Sequence, residues 1–320
     1  MSNTETQAVR TLLTGLIDYA GLFPPASLSM SQSATNYARE LQGAHAYALG
    51  RFLCPVSRLD ELSTQGAIVM PGTYATSGYQ EMIDAADPWS VGAILDTDLD
   101  GALDAIDRFN ARHAEADAGR AHIDAIEMRV DKPGDIDEAL DEIPEDLAAA
   151  FELPKDIVFG GDPRGFVAAL AGNSAACKVR CGGVTPDAIP SPGDLARVMV
   201  TCVTGDVPMK LTAGLHHPIR AEYPLTYDDN PPTGVMHGFM NVFIAAALLR
   251  ARAIKGEAQT ADILSETDQS AFVLTDDACG WRDITIEVGK LARARESFAL
   301  GYGSCSFEEP IGDLQTLGRL

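Results

Sequence analysis

Short apolar stretches alternate with longer helix-like stretches along most of this 320-residue chain, and this alternation most constrains its fold. Eight of the short stretches have the length and pattern of strands: 50–55, 91–96, 122–130, 157–160, 175–181, 207–213, 271–275 and 298–302. Strands that alternate with helices form parallel sheets, and eight such units predict a (β/α)₈ barrel. An open doubly wound sheet is the competing layout, but no Gly-x-Gly-x-x-Gly turn opens the chain.

The helices predicted between these strands cover 99–116, 136–147, 165–171, 193–203, 236–255 and 286–296. The stretch 67–71 could add a further strand. Residues 15–25 combine glycines, prolines and aromatics, which predicts an irregular but packed segment. We therefore predict an N-terminal extension over residues 1–45, packed on a barrel domain that covers residues 46–320.

The chain is unusually acidic, with a formal charge of −22, a pI near 4.5 and only six lysines. Such a surface disfavours nucleic acid and anionic membranes as partners and suits a salt-adapted, halophilic protein. The first ten residues are polar, and no apolar run reaches the roughly 20 residues that a bilayer needs. Six cysteines without a C-x-x-C pair suggest a reducing compartment. We expect a cytoplasmic protein, with a homo-oligomer left open.

Three predicted strands carry charges on one face and apolar residues on the other. The charged or polar members are Glu127 and Arg129, Lys178 and Arg180, and Lys210 and Thr212. In a barrel one face of each strand meets the helices and the other fills the lumen. The apolar faces belong against the helices, so these charged side chains are expected to converge inside the barrel, near the carboxyl ends of the strands.

Four of these side chains are cations, whereas Glu127, with Asp96 or Asp18 as further candidates, would oppose them. Uncompensated buried charges cost several kcal/mol each. A surplus of cations therefore predicts a small carboxylate or phosphate substrate, held by the planar forks of Arg129 and Arg180 with help from Lys178. The alternative is an ion network that only fills the barrel.

A lysine buried among other cations should have a lowered pKa, which would make Lys210 a nucleophile for Schiff-base chemistry. The segments 178–183 and 210–214 each run from a lysine into a glycine-containing turn. This pairing resembles the two-lysine arrangement of class I aldolases of the deoxyribose-phosphate aldolase type. That resemblance implies a lyase with a reactive lysine and no cofactor, although the predicted strand count places both lysines one strand early. Arg180 also departs from the small polar residues of that family.

Two adjacent histidines, His216 and His217, follow the strand that carries Lys210. With Lys210 as the nucleophile, Glu127 and His216 would move protons. Alternatively, His216, His217 and His237 with a carboxylate could bind a divalent metal ion, as in a metal-dependent hydrolase or lyase. Their spacing matches no standard metal motif.

Glycines and hydroxyls follow the last strand, among them Gly303 and Ser304, and predict an anion-binding turn before a helix. Thr212 is expected to contact the same substrate. The proline- and tyrosine-rich segment 223–234 is a candidate lid. A non-catalytic ligand-binding barrel remains the third functional alternative.

Overall fold

The computed structural model describes residues 5–73, 87–115 and 117–320, and its centre is a closed barrel of eight parallel strands. The barrel strands are β1 (Ile17–Tyr19), β2 (Leu49–Pro55), β3 (Trp89–Ile94), β4 (Ala121–Arg129), β5 (Ala148–Glu152), β6 (Ala175–Arg180), β7 (Met209–Thr212) and, after five strands outside the barrel, β13 (Ala299–Ser304). Each pairs in parallel with its neighbours, and β13 closes the barrel between β7 and β1. The predicted (β/α)₈ fold is confirmed.

Helices surround the barrel and bury their apolar faces against it. The described α-helices are α1 (Gln7–Leu13), α2 (Met30–Glu40), α3 (Leu59–Glu61), α4 (Leu99–His113), α5 (Pro133–Leu140), α6 (Lys155–Val158), α7 (Arg164–Leu170), α8 (Pro192–Thr204), α9 (Phe239–Arg250), α10 (Gly256–Ser265), α11 (Val288–Ser297) and α12 (Glu308–Thr316). The strands outside the barrel are β8 (Ala221–Pro224) and β9 (Thr233–Met236), which form a hairpin, and β10 (Phe272–Leu274), β11 (Ala278–Trp281) and β12 (Ile284–Glu287), which form an antiparallel sheet.

The first barrel strand lies inside the segment 1–45, which the sequence predicted as an extension. β1 has only three residues, all buried, and its hydrogen bonds come from β2 and β13 on either side. So short a strand has no periodicity of its own that a sequence pattern could reveal. The buried guanidinium of Arg295 donates to the carbonyls of Leu12 and Thr14 and thereby ties the chain just before β1 to helix α11.

The fifth barrel strand is β5, and the prediction of a strand over 157–160 was wrong. Residues 155–158 form one turn of helix, and the strand lies earlier, over the alanine-rich run 148–152. Alanine favours helices when it is taken alone. Pairing with β4 and β6 overrides that preference here. The preceding helix is accordingly shorter than predicted and ends at Leu140.

The stretch 271–275 is a strand, but it does not belong to the barrel. It contains β10, which pairs antiparallel with β11 across a tight turn. A parallel barrel strand needs a long crossover connection, which a tight turn cannot supply. The candidate strand at 67–71 is a turn.

The turns after β6 and β7 touch each other through two glycines. A Cβ atom on Gly182 would lie 2.7 Å from the Cα of Gly214, and Gly214 itself has a φ of +70°. Only residues without a side chain allow this approach. The two glycine turns that the sequence singled out therefore set the spacing of the two lysine-bearing strands at their carboxyl ends.

Helix α9 is the most apolar helix of the barrel wall, and it is buried along almost its entire length. None of the helices that the structure describes combines the length and apolarity needed to cross a membrane. All six cysteines are free and buried.

We expect Gly214→Ala to lower the free energy of unfolding by about 1–3 kcal/mol, because the new methyl group meets backbone and the positive φ is strained. Gly312→Ala is the matched control, since nothing lies within 4 Å of its Cβ position and it sits inside helix α12. That substitution should leave stability unchanged or raise it by up to about 1 kcal/mol. Urea unfolding of both variants measures the difference, and equal effects would contradict the close approach.

Candidate active site

The centre of the barrel is occupied by a carboxylate that bridges two lysines. Glu127 on β4 places Oε2 at 2.8 Å from the Nζ of Lys178 on β6, and Oε1 at 2.5 Å from the Nζ of Lys210 on β7. β4 contacts neither β6 nor β7 in the sheet. Side chains from these strands can meet only across the lumen, so the predicted convergence of charged faces is correct.

Two further carboxylates extend this row at its ends. Asp18 on β1 lies 2.5 Å from Lys210, and Glu152 on β5 lies 2.7 Å from Lys178. These five side chains, all of them buried, are called the lumen ion network below: Asp18, Lys210, Glu127, Lys178 and Glu152. Carboxylates and ammonium groups alternate along it, so each buried charge has a partner of opposite sign.

Asp18 is held in place by the start of β2. The backbone N–H of Arg51 donates a hydrogen bond of 2.7 Å to its Oδ1. A Cβ atom on Gly50 would overlap the same oxygen, so only glycine leaves room for the carboxylate. The sequence named Asp18 only as one candidate counter-charge.

The network changes the expected protonation of Lys210. Burial alone would lower its pKa, but Asp18 and Glu127 outweigh burial and hold that pKa above its usual value. The prediction that Lys210 has a depressed pKa was therefore wrong, because its nearest neighbours are carboxylates rather than cations. Burial likewise opposes the charge on Glu127, but Lys178 and Lys210 lower its pKa to about 2.

A cavity of about 870 Å³ opens above the network at the carboxyl ends of the strands. Its floor includes Glu127, Glu152 and Lys178. Lys210 instead lines a separate cavity of about 70 Å³, together with Asp18 and the alanines of the amino-terminal halves of β4, β5 and β6. Of the two buried lysines, Lys178 is the one that a ligand in the mouth can reach.

Arg129 and Arg180 stand at the rim of the mouth cavity, as the sequence predicted. The Nε of Arg180 lies 3.0 Å from Glu152 Oε1, and the Nε of Arg129 lies 3.7 Å from the same oxygen. Within the described part of the chain, the terminal guanidinium nitrogens of both arginines make no hydrogen bond. These nitrogens are available to bind an anion bidentately.

The cation surplus in the lumen is smaller than the sequence suggested. The lumen ion network and the two arginines together contain four cations and three carboxylates, which leaves one positive charge to be balanced. Glu152, which the sequence did not single out, accounts for the difference. Asp96 does not oppose the cations, because both of its oxygens accept hydrogen bonds from Ser57.

His216 and His217 both line the mouth cavity, and each pairs with a carboxylate of helix α12. The Nδ1 atoms lie 3.0 Å from Glu309 and 2.6 Å from Asp313, respectively. His237 lies apart from them, because its Nε2 donates to the carbonyl of Pro190, and burial lowers its pKa to about 4. The structure thus brings together two of the three histidines in the alternative metal set.

No group of three or more His, Cys, Asp or Glu side chains is placed to hold a metal ion within residues 5–73, 87–115 and 117–320. In each of the two mouth histidines a carboxylate orients the ring through Nδ1. This geometry suits a histidine that transfers protons, which is the role predicted for His216.

The turn after β13 does not form the expected anion site. Gly303 and Thr212 line the cavity as predicted, but the hydroxyl of Ser304 donates to the carbonyl of Ser306 within the turn itself. Helix α12 then begins with two glutamates, Glu308 and Glu309, which interact favourably with its positive amino-terminal end. A phosphate at that helix end would be repelled by these carboxylates.

The candidate lid is the β8–β9 hairpin, whose tip covers the mouth. The Tyr227 hydroxyl donates a hydrogen bond of 2.8 Å to Glu309, the same carboxylate that pairs with His216. Residues 224–228 and Pro231 line the cavity beneath it. The same hydroxyl lies 3.7 Å from the Sγ of Cys305, so the hairpin tip makes two polar contacts with the segment that follows β13.

We expect Glu127→Gln to lower the free energy of unfolding by about 3–5 kcal/mol, because it leaves two buried ammonium groups under-compensated. Glu308→Gln is the matched control: the Glu308 side chain is 72% exposed and its pair with Arg39 is worth at most about 1 kcal/mol. Chemical denaturation of both variants tests this. A loss no larger than that of the control would show that Glu127 does not hold the lysines.

Glu127 also predicts how stability depends on pH. Its pKa is about 2 in the folded chain, below the usual 4.5, so its contribution is present above about pH 5 and is lost as the pH falls toward 2. In Glu127→Gln the curve of unfolding free energy against pH should therefore be less steep in that window. Urea melts at successive pH values measure the slopes, and identical slopes would refute the assignment.

In comparisons with known proteins, no protein family, curated protein or solved structure matches this chain. The geometry and chemistry of the mouth and the lumen ion network are therefore the basis for a functional assignment.

Proposed function

We propose that this chain is a lyase that binds a small anionic carbonyl compound in the barrel mouth and reacts with it through a lysine Schiff base. The reactive lysine in this proposal is Lys178, in place of the Lys210 that the sequence favoured. One observation carries the proposal: the Nζ of Lys178 lies on the cavity floor between two carboxylates, at 2.8 and 2.7 Å.

The anionic group of the substrate would bind to Arg129 and Arg180. Both guanidiniums face the cavity, and their Nε atoms approach the same carboxylate, Glu152. An anion at their free nitrogens would supply the one negative charge that the lumen lacks. Thr212 and Gly303 also line the cavity, and Thr212 is the register partner of Arg180 in the neighbouring strand.

Substrate binding would also activate the lysine. Lys178 must lose a proton before it attacks, and Glu152 is in place to accept it. Burial alone would raise the pKa of Glu152, but Lys178 and Arg180 hold it below its usual value. An anion that neutralises Arg180 raises the pKa of Glu152 and so makes the transfer from Lys178 easier.

The reaction would follow the usual course of covalent lysine catalysis. A C–N bond forms between Lys178 and the carbonyl carbon, and the carbonyl oxygen takes two protons and leaves as water. The resulting iminium accepts the electron pair of the bond between its α and β carbons as that bond breaks, which leaves an enamine on Lys178. The hydroxyl on the β carbon becomes the carbonyl of the released fragment, and His216, oriented by Glu309, would take its proton. The enamine then takes a proton at the α carbon, and water hydrolyses the imine to release the second product and free Lys178. Lys210 would stay protonated and hold Glu127.

The positions of the two lysines support the aldolase resemblance. With β1 counted, Lys178 is on the sixth barrel strand and Lys210 on the seventh, one strand later than the sequence predicted. This is the order that the deoxyribose-phosphate aldolase type requires. No cofactor takes part in this mechanism.

A metal-dependent hydrolase or lyase is the second candidate, and one observation favours it. Histidines that bind metals commonly donate their other ring nitrogen to a carboxylate, as His216 and His217 do through Nδ1. Metal analysis of the purified protein and thermal melts with added Zn²⁺ test this candidate. A stabilisation by Zn²⁺ that disappears in His216→Ala would favour it over the Schiff-base proposal.

The setting that we propose is the cytoplasm of a salt-adapted cell. The free, buried cysteines are compatible with a reducing compartment, and the charge of −22 with the small number of lysines is compatible with concentrated salt. A homo-oligomer remains compatible with this setting.

We expect borohydride reduction in the presence of an oxo acid to add the reduced substrate to Lys178. Because the chain has only six lysines, peptide mass spectrometry can assign the adduct without ambiguity. Lys178→Arg should abolish the adduct, since a guanidinium does not form a Schiff base. Lys290→Arg, on the exposed face of helix α11, is the control that should leave it unchanged.

An adduct on Lys210 would return the catalytic role to that lysine. Absence of any adduct in a protein that still binds carboxylates would support a non-catalytic ligand-binding barrel.

A further inference from the structure

The wall of the mouth is divided into two sectors around the barrel. Ala20, Leu53 and Ile94 contribute the cavity surface at the ends of β1, β2 and β3, which are neighbouring strands. All three are apolar. These three positions at the ends of β1, β2 and β3 are called the apolar sector below. Asp96, two residues beyond β3, also lines the cavity, but both of its carboxylate oxygens accept hydrogen bonds from Ser57.

The opposite sector carries the charges. β4, β5 and β6 are also neighbours, and they contribute Glu127 and Arg129, Glu152, and Lys178 and Arg180. This charged sector contains both arginines and the lysine that the proposed function uses. A ligand that fills the cavity meets ions on one side and hydrocarbon on the other.

The loop after β1 extends the apolar sector away from the lumen ion network, because Phe23 and Pro24 also line the cavity. Leu225 and Met236 of the β8–β9 hairpin are buried and add apolar surface to the mouth, next to the segment that follows β6. Asp228 of the same hairpin lines the cavity as well.

The cavity is also much larger than the charged sector requires. At about 870 Å³ it falls in the upper part of the range of about 300–1,000 Å³ that is typical of sites for drug-sized ligands. A three- or four-carbon acid held by the arginines would leave the apolar sector in contact with water. Displacing that water with hydrocarbon is favourable.

We propose that the substrate is an amphipathic oxo acid, with its carboxylate on Arg129 and Arg180, its carbonyl at Lys178 and an apolar chain or ring along the apolar sector. The position of the carbonyl in this inference rests on the proposed function. The division of the mouth into two sectors does not, because it follows from the residues that line the cavity. Glu152 touches both Lys178 and Arg180, so the carbonyl and the carboxylate of the substrate are close together in its chain.

Binding of saturated carboxylates tests the amphipathic character without any Schiff-base chemistry. Isothermal titration with acetate, butanoate, hexanoate and octanoate should show the affinity rising about twofold to fourfold for each added methylene group. Octan-1-ol, which has the same chain without the charge, should bind at least tenfold more weakly than octanoate.

Two variants test the contributions of the apolar sector and the charged sector to acid binding separately. Ile94→Thr keeps a β-branched residue in β3 and should weaken octanoate binding several-fold while leaving acetate unchanged. Arg180→Gln should weaken all four acids by the same factor, because each presents the same carboxylate. Thermal melts confirm that both variants are folded before titration.

An affinity that does not change with chain length, or that is highest for acetate, would overturn the inference, and so would the absence of binding by all four acids. These titrations are independent of borohydride trapping, because saturated acids have no carbonyl beyond the carboxylate. If borohydride traps an adduct but affinity does not depend on chain length, the Schiff-base proposal stands and the amphipathic substrate is refuted. If affinity depends on chain length but no adduct is trapped, the apolar sector binds hydrocarbon and the Schiff-base proposal is refuted.

Discussion

The rest of the structure depends on one carboxylate held between two ammonium groups inside the barrel. Glu127 reaches Lys178 and Lys210 from across the lumen, and Asp18 and Glu152 complete the pairing. Each of these charges would cost several kcal/mol if it were buried alone. A shift of any one strand by one residue would turn its charge outward and leave its partner unpaired. The lumen ion network therefore fixes the strand register. The register in turn sets the position of each charged side chain along the barrel axis.

The sequence revealed the parts of this arrangement that are local. Alternation of charged and apolar residues is visible within β4, β6 and β7, so the amino-acid pattern alone places Glu127, Lys178 and Lys210 inside a barrel. β1 and β5 could not be found in the same way, because one has three residues and the other is a run of alanines whose strand state comes from its neighbours. Glu152 ends that alanine-rich strand and was missed with it.

The error about Lys210 follows from the failure to find β1, which carries Asp18. Its pKa depends on Asp18, which lies far away in the chain and was recognised only as one of several acidic candidates. Lys178 and Lys210 have similar surroundings, each between two carboxylates, so their local sequence does not distinguish a reactive lysine from a structural one. Access distinguishes them: Lys178 lines the mouth cavity, and Lys210 lines the small cavity on the other side of Glu127. The sequence placed Tyr227 in the candidate lid, but its hydrogen bond to Glu309 was found only from the fold, because the hairpin tip and helix α12 meet over the mouth.

The anionic substrate that we propose would approach a protein whose formal charge is −22. At an ionic strength of about 0.1–0.15 M, charges are screened beyond roughly 8–10 Å, and more strongly in concentrated salt. Screening removes the repulsion from the distant acidic surface, but it also weakens the attraction of the rim arginines. Salt does not screen the binding free energy that comes from contact with the apolar sector, because burial of hydrocarbon involves no charge. A mouth that divides recognition between two arginines and an apolar wall would therefore retain its ligand better in concentrated salt than one that relied on the arginines alone.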